Sequence, residues 1–398
     1  MRARDVIRAY LRKLVRSNQS VEAGVSGPSF HLPMSLRDEP VAVRRNLDPR
    51  DPSPLYEMQP ARLMGWYHGY RDSYEFQQSL LYAETVALTV DGLVGIEPDA
   101  ISVNDIRVTL DPRPYQLPTT LQPHQAAMLG YFRASGRLRV IDGVEENNRS
   151  ARLAAVDRAT ATLRLQEASY FDQIATNLSA DTVSGALIDP ITRRAVGTLR
   201  EGIEAPEQGR LRPLERSAMA NTLGVAAVLF TREGMPLLRR RNSHLGSINM
   251  TRGIHCSVSG VLELPPGFRR GQSGGFEVLA YGMRHEIAQE LALAPHEYRL
   301  FPVALARELP RLGKPQLFFL IECDLETDEL CRRLHIAPER HEYLNDPARP
   351  FLLQPLDFEH APQFTYEGWA AAWFAAAFRS ANAVDHRPSI DHPGIGQG

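Results

Sequence analysis

The sequence predicts an α/β protein, and three observations carry that prediction. Short runs of β-branched and small apolar residues, typical of buried strands, occur repeatedly after residue 216. Segments whose apolar residues recur at helical spacing stand between these runs. Gly, Pro and Asp residues that favour turns separate the two kinds of segment. With 398 residues, the chain is long enough for two domains or one enlarged domain.

Composition and charge exclude several classes of function. Hydrophobic residues make up 43% of the chain and charged residues 23%, as in ordinary globular proteins. The net charge of −2 gives no global electrostatic case for nucleic-acid or membrane binding. No stretch approaches the ~18 apolar residues of a membrane span, and the N-terminus has no apolar targeting segment. Three cysteines without a CxxC pair do not indicate a disulfide framework. We therefore expect a cytoplasmic protein.

The N-terminal part shows elements but no chemical motif. Residues 1–16 have the pattern of a basic amphipathic helix, which either docks on its own domain or binds a membrane or an acidic partner. Residues 17–60 are predicted to be loops, whereas 61–90 and 123–142 each predict a helix followed by a strand. Residues 1–150 are therefore predicted to be a mixed α/β region of unknown function. The aromatic residues of its first helix are expected in the core: Trp66, Tyr67, Tyr70 and Tyr74.

The remainder of the chain predicts a second domain, 151–380, followed by a disordered tail, 381–398. The strand beginning near Thr222, "TLGVAAVLFT", is the clearest of its elements. The predicted elements are, in order, a strand pair at 150–166, a short helix at 168–177, strands at 222–231, 236–242 and 255–264, a helix within 271–293, strands at 298–308 and 315–325, and helices at 327–335 and 366–380.

The helix within 271–293 carries the candidate chemistry. Glu286 and Glu290 are four residues apart, so their carboxylates project together, with Gln289 beside them. Two like charges at this spacing are mildly destabilising unless something neutralises them, and a divalent cation is one solution. Hard oxygen ligands suit Mg²⁺ or Mn²⁺. The simpler interpretation is the solvated face of an amphipathic helix.

The same segment resembles the Nudix box, G-x5-E-x7-R-E-U-x-E-E-x-G-U, in which U is a bulky aliphatic residue. The sequence departs from the box at His285, Gln289 and Ala292. The flanking strands occur in the order typical of the Nudix hydrolase superfamily, and the resemblance covers about residues 165–380. The matching residues are Gly271, Glu277, Glu286, Ile287, Glu290 and Leu293.

The resemblance implies a fold and an activity. The fold is a Nudix-like α/β/α sandwich in the C-terminal half, preceded by the mixed α/β domain. The activity is metal-dependent cleavage of a pyrophosphate bond in a nucleoside diphosphate linked to another group. By motif position, Glu286 and Glu290 ligate Mg²⁺ or Mn²⁺, and Gln289 can offer a carbonyl oxygen. Glu277 supports the helix or joins the metal shell.

Two glycines compete for the role of the box glycine. Gly271 has the spacing of the motif. Gly260 stands in "VSGVLE", which resembles the glycine turn that follows a strand in many family members. We favour Gly260, which makes the loop around Gly271 an insertion.

Finer features resemble the UDP-sugar diphosphatase-like branch of the family, which releases UMP and a sugar 1-phosphate. The segment "SYFDQIATNL" at 169–178 is similar to the tyrosine helix and Thr-Asn-Leu of that branch. The box "HEIAQELAL", with its glycine replaced, and the later strands are also similar. This similarity implies a UDP-sugar as one candidate for the nucleoside diphosphate substrate.

Arginine and lysine residues near these strands are candidates for phosphate binding, because guanidinium groups match phosphate geometry. Arg239 and Arg241 end the strand "PLLRRR", where alternate residues share one side; solvated charges fit this pattern equally well. Arg307 and Lys314 form a second candidate pair, and Glu308 could supply an additional acid.

Two other functions remain open. A catalytically degenerate Nudix domain could sense a nucleotide, which the departures at His285 and Gln289 favour. A partner-binding scaffold would use the basic helix 1–16, and a homodimer is compatible with each hypothesis. His255 does not belong to a spaced set of metal ligands with His244 or His285, so no zinc site is predicted, and Cys256 is expected to be a buried small residue.

Overall fold

The computed structural model defines the architecture of most of the chain, and the residues it describes belong to one compact unit, Val43–Gly398. The described residues are 47–48, 50, 60–73, 81–138, 140–141, 143–187, 196–240, 253–339, 351–352 and 364–382. Within them, no helix combines the length and apolar character needed to cross a bilayer.

Helices and strands alternate along the described chain, which confirms the predicted α/β class. The helices are α1 (Pro60–Trp66), α2 (Gln122–Ala134), α3 (Tyr170–Ile174), α4 (Glu277–Leu291), α5 (Thr327–Ile336) and α6 (Tyr366–Asn382). The strands are β1 (Tyr82–Thr89), β2 (Ile101–Ser102), β3 (Arg107–Leu110), β4 (Val140–Ile141), β5 (Val144–Glu145), β6 (Arg149–Asp157), β7 (Thr162–Ser169), β8 (Gly224–Phe230), β9 (Pro236–Arg240), β10 (Ile254–His255), β11 (Val258–Val261), β12 (Ser273–Gly274), β13 (Tyr298–Glu308), β14 (Lys314–Cys323) and β15 (Phe351–Leu352).

The larger sheet is mixed. Its strands follow the order β10-β9-β8-β14-β13-β1-β2, with β11 paired to β8 and β15 paired to β9. The central strands β8 and β14 run parallel, whereas β13 is antiparallel to both β14 and β1. Two strands pair with the same edge of β8: β11 pairs with its first half and β9 with its last two residues.

Helices cover both faces of this sheet, as the alternation of buried side chains along β8 shows. Val225 and Leu229 belong to a hydrophobic core that includes Leu279 and Ile287 of α4. The intervening residues of β8 belong to a second core, formed with α6. Because successive side chains of a strand point to opposite faces, the sheet lies between α4 and α6. The members of the second core from these two elements are Ala226, Val228, Phe230, Ala370, Ala371, Ala372, Phe374, Ala375 and Phe378.

A smaller sheet, in the order β12-β3-β7-β6, adjoins the first. Its edge strand β6 reaches the larger sheet through backbone hydrogen bonds: the Ala151 N–H donates to the Leu262 carbonyl (3.1 Å), and the Leu223 N–H donates to the Ala151 carbonyl (2.7 Å). Strand β12 immediately precedes α4 and pairs with β3, so the start of α4 is attached to the smaller sheet.

Strands from both sides of residue 150, the predicted domain boundary, share these sheets. β1 pairs with β13 in the larger sheet. β3 pairs in parallel with β7 in the smaller one. Residues 82–110 are thus hydrogen bonded to the part of the chain assigned to the second predicted domain.

Most predicted elements are confirmed to within a few residues, although "HCSVSGVLEL" forms two short strands rather than one. Ser257 interrupts it, because its hydroxyl donates to the Leu237 carbonyl (2.5 Å) and accepts from the Leu229 N–H (2.7 Å). Tyr67 and Tyr70 are buried as predicted. The predicted helix 1–16, Tyr74, Arg241, His244 and residues 383–398 of the predicted tail lie outside the described residues.

Candidate functional site

Glu290 is the most constrained of the three predicted acids on α4. Helix α4 packs its apolar stripe on the sheet, which turns Glu290 towards strand β11, where it is fully buried. Its Oε1 accepts a hydrogen bond from the Ser259 N–H at 3.3 Å. Its Oε2 lies 3.6 Å from Nη1 of Arg239, a buried residue of β9. The same Nη1 donates to the Glu290 carbonyl at 3.3 Å. A backbone donor and a guanidinium therefore both hold this carboxylate.

Glu286 lies one turn earlier on α4 and faces Gly260 of β11. A Cβ added to Gly260 would overlap the Glu286 carboxylate, so this close approach requires glycine. Gly260 sits on β11 opposite Val225 of β8. The two acids of α4 therefore converge on one short segment, Ser259–Gly260.

Gly271, the other candidate for the box glycine, has a different role. Its N–H donates to the Leu110 carbonyl at 2.7 Å, which ties the loop before α4 to β3. Its φ of +80° is a conformation that glycine adopts without strain. The structure therefore places Gly260, and not Gly271, against Glu286.

Glu277 is separated from the other two acids. It begins α4, is exposed, and its Oε1 accepts from the Gly275 N–H at 2.8 Å. Nine residues of helix place Glu277 about 13 Å along the axis from Glu286 and half a turn around it. This spacing is too large for one ion to bridge them. Glu277 instead lines a cleft of ≈ 350 Å³ with Phe276 and Arg284.

Two of the residues that depart from the box, His285 and Gln289, also have defined surroundings. His285 Nε2 lies 3.8 Å from Oε2 of Glu263, and its ring stacks on Tyr281 with centroids 6.4 Å apart. Gln289 is half-buried, and its backbone carbonyl accepts a hydrogen bond from the Glu339 N–H at 3.0 Å. His285 therefore faces the strand end after β11 rather than an acid of α4.

Among the residues that the structure describes, the predicted phosphate-binding side chains do not form one group. Arg239 is engaged by Glu290, and Arg241 lies outside the described residues. Arg307 is buried and donates to Glu84 Oε2 (2.8 Å), with further bonds to the carbonyls of Gly313 (3.1 Å) and Arg212 (2.8 Å). These contacts give Arg307 a structural role between β1, β13 and the turn after β13.

Glu308 and Lys314 belong to a buried polar cluster beside α6. Lys314 Nζ lies 3.4 Å from Oε1 of Glu308 and 3.0 Å from Oε1 of Gln316. Arg311 Nη1 approaches Oε2 of Glu308 at 3.5 Å, and the Tyr366 hydroxyl donates to the same oxygen at 3.4 Å. The carboxylate of Glu308 thus lies between two cationic side chains, Lys314 and Arg311. Glu286, by contrast, projects from the helix on the other face of the sheet.

Sequence reasoning missed the hydroxyl and imidazole groups near Glu290. His255 Nε2 lies 3.0 Å from Ser259 Oγ, and its Nδ1 lies 2.6 Å from Thr365 Oγ1. Ser259 thus contacts His255 with its side chain and Glu290 with its backbone. Because His255 and Thr365 are 110 residues apart, no local pattern could have indicated their contact.

Comparison with known proteins gives no family. No protein-family model matches the chain, and no curated protein matches it. Among solved structures, it is similar to the crystal structure of DR0079 from Deinococcus radiodurans, with a TM-score of 0.26 and 16% sequence identity. That similarity covers 48% of this chain and 98% of DR0079. A similarity of this size carries no argument about function.

Proposed function

We propose that this chain is a divergent Nudix hydrolase with a Nudix-like α/β/α sandwich. Its reaction would be hydrolysis of a pyrophosphate bond in a nucleoside diphosphate linked to a second group, with Mg²⁺ or Mn²⁺ as the cofactor. The observation that carries the proposal is the convergence of Glu286 and Glu290 on the Ser259–Gly260 segment.

The donor set at this convergence fits a hard divalent cation. Two carboxylates would supply oxygen ligands, the type that Mg²⁺ and Mn²⁺ prefer, and the family resemblance adds the backbone carbonyl of Gly260. A bound ion would neutralise phosphoryl charge and lower the pKa of a bound water. Gln289 would contribute a neutral carbonyl oxygen at most. This ligand set carries less negative charge than the family motif, so we expect weak metal binding.

The residues around Glu290 prepare it for that role. The Ser259 N–H fixes one carboxylate oxygen and Arg239 attracts the other, so the Glu290 carboxylate is oriented before any ion binds. Glu286 is only half-buried and can adjust its side chain towards an ion. Glu290 would therefore be the fixed ligand and Glu286 the adjustable one.

A UDP-sugar is the first substrate to test, and this choice depends on sequence similarity. The similar segment is built into the fold: Ser169 and Asp172 cap α3 reciprocally, and Asn177 Nδ2 donates to the Arg311 carbonyl at 2.8 Å. These contacts give Ser169, Asp172 and Asn177 structural roles and do not connect them to a substrate. An assay with different nucleoside diphosphate derivatives is therefore needed to identify the preferred base and the preferred linked group.

One observation favours a second candidate, a nucleotide-sensing module without catalysis. Arg239 already neutralises part of the Glu290 charge, and Gln289 brings no charge of its own. A nucleotide could then bind without a metal. The two candidates differ in turnover and in the metal dependence of nucleotide binding.

The full-length chain should be incubated with UDP-glucose and a panel of other diphosphonucleosides, with Mg²⁺, Mn²⁺ or EDTA. We expect release of UMP or the matching monophosphate, abolished by EDTA. Absence of turnover across the panel, together with nucleotide binding that EDTA leaves unchanged, would establish the sensing module instead.

Glu286→Gln tests the metal-ligand assignment against a matched control. We expect turnover to fall by about 100-fold or more, because loss of even an outer partner of a metal ligand costs 10–100-fold. Glu277→Gln makes the same charge change on the same helix, about 13 Å away, and should retain turnover within a factor of about three. Equal losses in the two variants would refute the separation of Glu277 from the site.

A further inference from the structure

Three residues with different ligand chemistry meet in the interior beside α6. His255 ends β10, Cys256 follows it, and Glu367 lies in the first turn of α6. All three are buried, with exposed fractions of 0%, 0% and 7%. One potential ligand atom from each lies within 4.8 Å of the other two.

We propose that this cluster binds a single Zn²⁺ ion. An imidazole nitrogen, a thiolate and a carboxylate oxygen are the three donor types that zinc takes from proteins. The Cys256 thiolate and the Glu367 carboxylate carry two negative charges, which one Zn²⁺ neutralises while His255 stays uncharged. A buried ion is tolerated when its charge is balanced in this way, whereas an unpaired one is not.

The surrounding hydrogen bonds are those expected around metal ligands. Gln316 Nε2 donates to Glu367 Oε1 at 3.0 Å, a contact that would orient the carboxylate of a metal ligand. The hydroxyls of Ser259 and Thr365 contact the two ring nitrogens of His255. The ion takes the place of one hydroxyl, and the other continues to fix the tautomer of the imidazole.

The site would hold the ion through three protein ligands and a water molecule, and it does not depend on the proposed hydrolase activity. It would join the β10–β11 segment to the first turn of α6, two segments that the sequence separates by about 110 residues. Its thiolate and imidazole also distinguish it chemically from the α4 acids, which offer oxygen ligands. Zinc would therefore raise thermal stability without being required for phosphate chemistry.

Cobalt substitution tests the proposal directly. The full-length protein, stripped with a chelator, is titrated with Co²⁺ and followed by absorption. We expect a thiolate-to-cobalt charge-transfer band that saturates at one equivalent and disappears when Zn²⁺ is added. Zinc should also raise the Tm of the stripped protein. Lack of the band in the unmutated protein would overturn the proposal.

Matched variants assign the ligands. Cys256→Ser should abolish the band, and Glu367→Gln should weaken Co²⁺ binding at least about tenfold. Cys331→Ser removes a half-buried thiol of α5 and should leave the band unchanged. A band that persists in Cys256→Ser would place the thiolate elsewhere and refute the site. Glu290→Gln should keep the band even if it abolishes turnover, so failure of the hydrolase proposal and failure of the zinc proposal are distinguishable.

Discussion

At the scale of single residues, the departure from the Nudix box at Ala292 has a physical explanation. Ala292 ends α4 with φ 54° and ψ 36°, the left-handed conformation that usually requires glycine. The position of the motif glycine is therefore the end of this helix. The chain adopts the left-handed conformation there with alanine instead of glycine. The departure at residue 292 costs stability and leaves Glu286 and Glu290 in place on α4.

Ala292→Gly should stabilise the protein by about 0.5–1 kcal/mol, because glycine has no Cβ penalty in the left-handed region. The urea midpoint of unfolding measures this gain. Ala288→Gly is the matched control: it lies exposed within the right-handed part of α4 and should cost about 1 kcal/mol. A loss of stability in Ala292→Gly equal to that of Ala288→Gly would contradict the strained terminus.

His124 makes a second residue-scale prediction, on pH dependence. Burial lowers its pKa from 6.5 to about 4, and its ring nitrogens lie 2.7 Å from Ser184 Oγ and 3.0 Å from Ser179 Oγ. The folded state keeps the imidazole neutral, whereas the unfolded chain binds a proton below pH 6.5. Stability is therefore lost as pH falls from about 6.5 to about 4, by about 3 kcal/mol at ~1.4 kcal/mol per pKa unit.

Urea unfolding of the unmutated chain and of His124→Gln, at a series of pH values, isolates this contribution. The difference in unfolding free energy between the two should change by about 3 kcal/mol over that window, with the unmutated chain losing more on acidification. It should be constant above pH 7. Parallel pH profiles for the two proteins would show that His124 does not titrate as described.

At the scale of elements, a buried arginine connects segments that share no strand pairing. Arg200 is fully buried and its guanidinium makes two bonds to the Asp181 carboxylate, at 2.7 and 2.9 Å. It also contacts the Tyr67 hydroxyl (2.6 Å) and donates to the Leu309 carbonyl (2.9 Å). The end of α1, a loop near residue 181 and the turn after β13 are therefore held by one side chain.

Arg200→Met should destabilise the protein by about 3–5 kcal/mol, because it leaves a partly buried carboxylate and backbone carbonyls without their partner. Arg216→Met is the control, since Arg216 pairs with Glu207 at 2.7 Å but is 61% exposed. That pair should contribute about 0–1 kcal/mol. Chemical unfolding compares the two variants, and similar losses would argue against the anchoring role of Arg200.

At the scale of the whole molecule, residues before 150 complete both sheets. β1 covers the edge of β13, and β3 separates β7 from β12 in the smaller sheet. Removing them would expose Leu305 and Leu163, which are buried in the same core. The hydrophobic core thus depends on strands from both predicted domains.

A fragment of residues 151–398 should therefore fail to unfold cooperatively, whereas a fragment of residues 43–398 should unfold with a Tm close to that of the full chain. Differential scanning calorimetry measures both. The longer fragment is the control for loss of the N-terminal 42 residues. Cooperative unfolding of the shorter fragment at an unchanged Tm would show that residue 150 is a true domain boundary.

The sequence by itself determined the local elements and the candidate helix, because hydrophobic period and turn residues are local properties. "TLGVAAVLFT" predicts β8, and the spacing of Glu286 and Glu290 places both on one side of α4. Only the tertiary structure decided the partners of these residues. Arg239 meets Glu290, and His255 meets Thr365, across 51 and 110 residues of chain. Such contacts arise from sheet order and helix packing, which the pattern of a single segment does not encode.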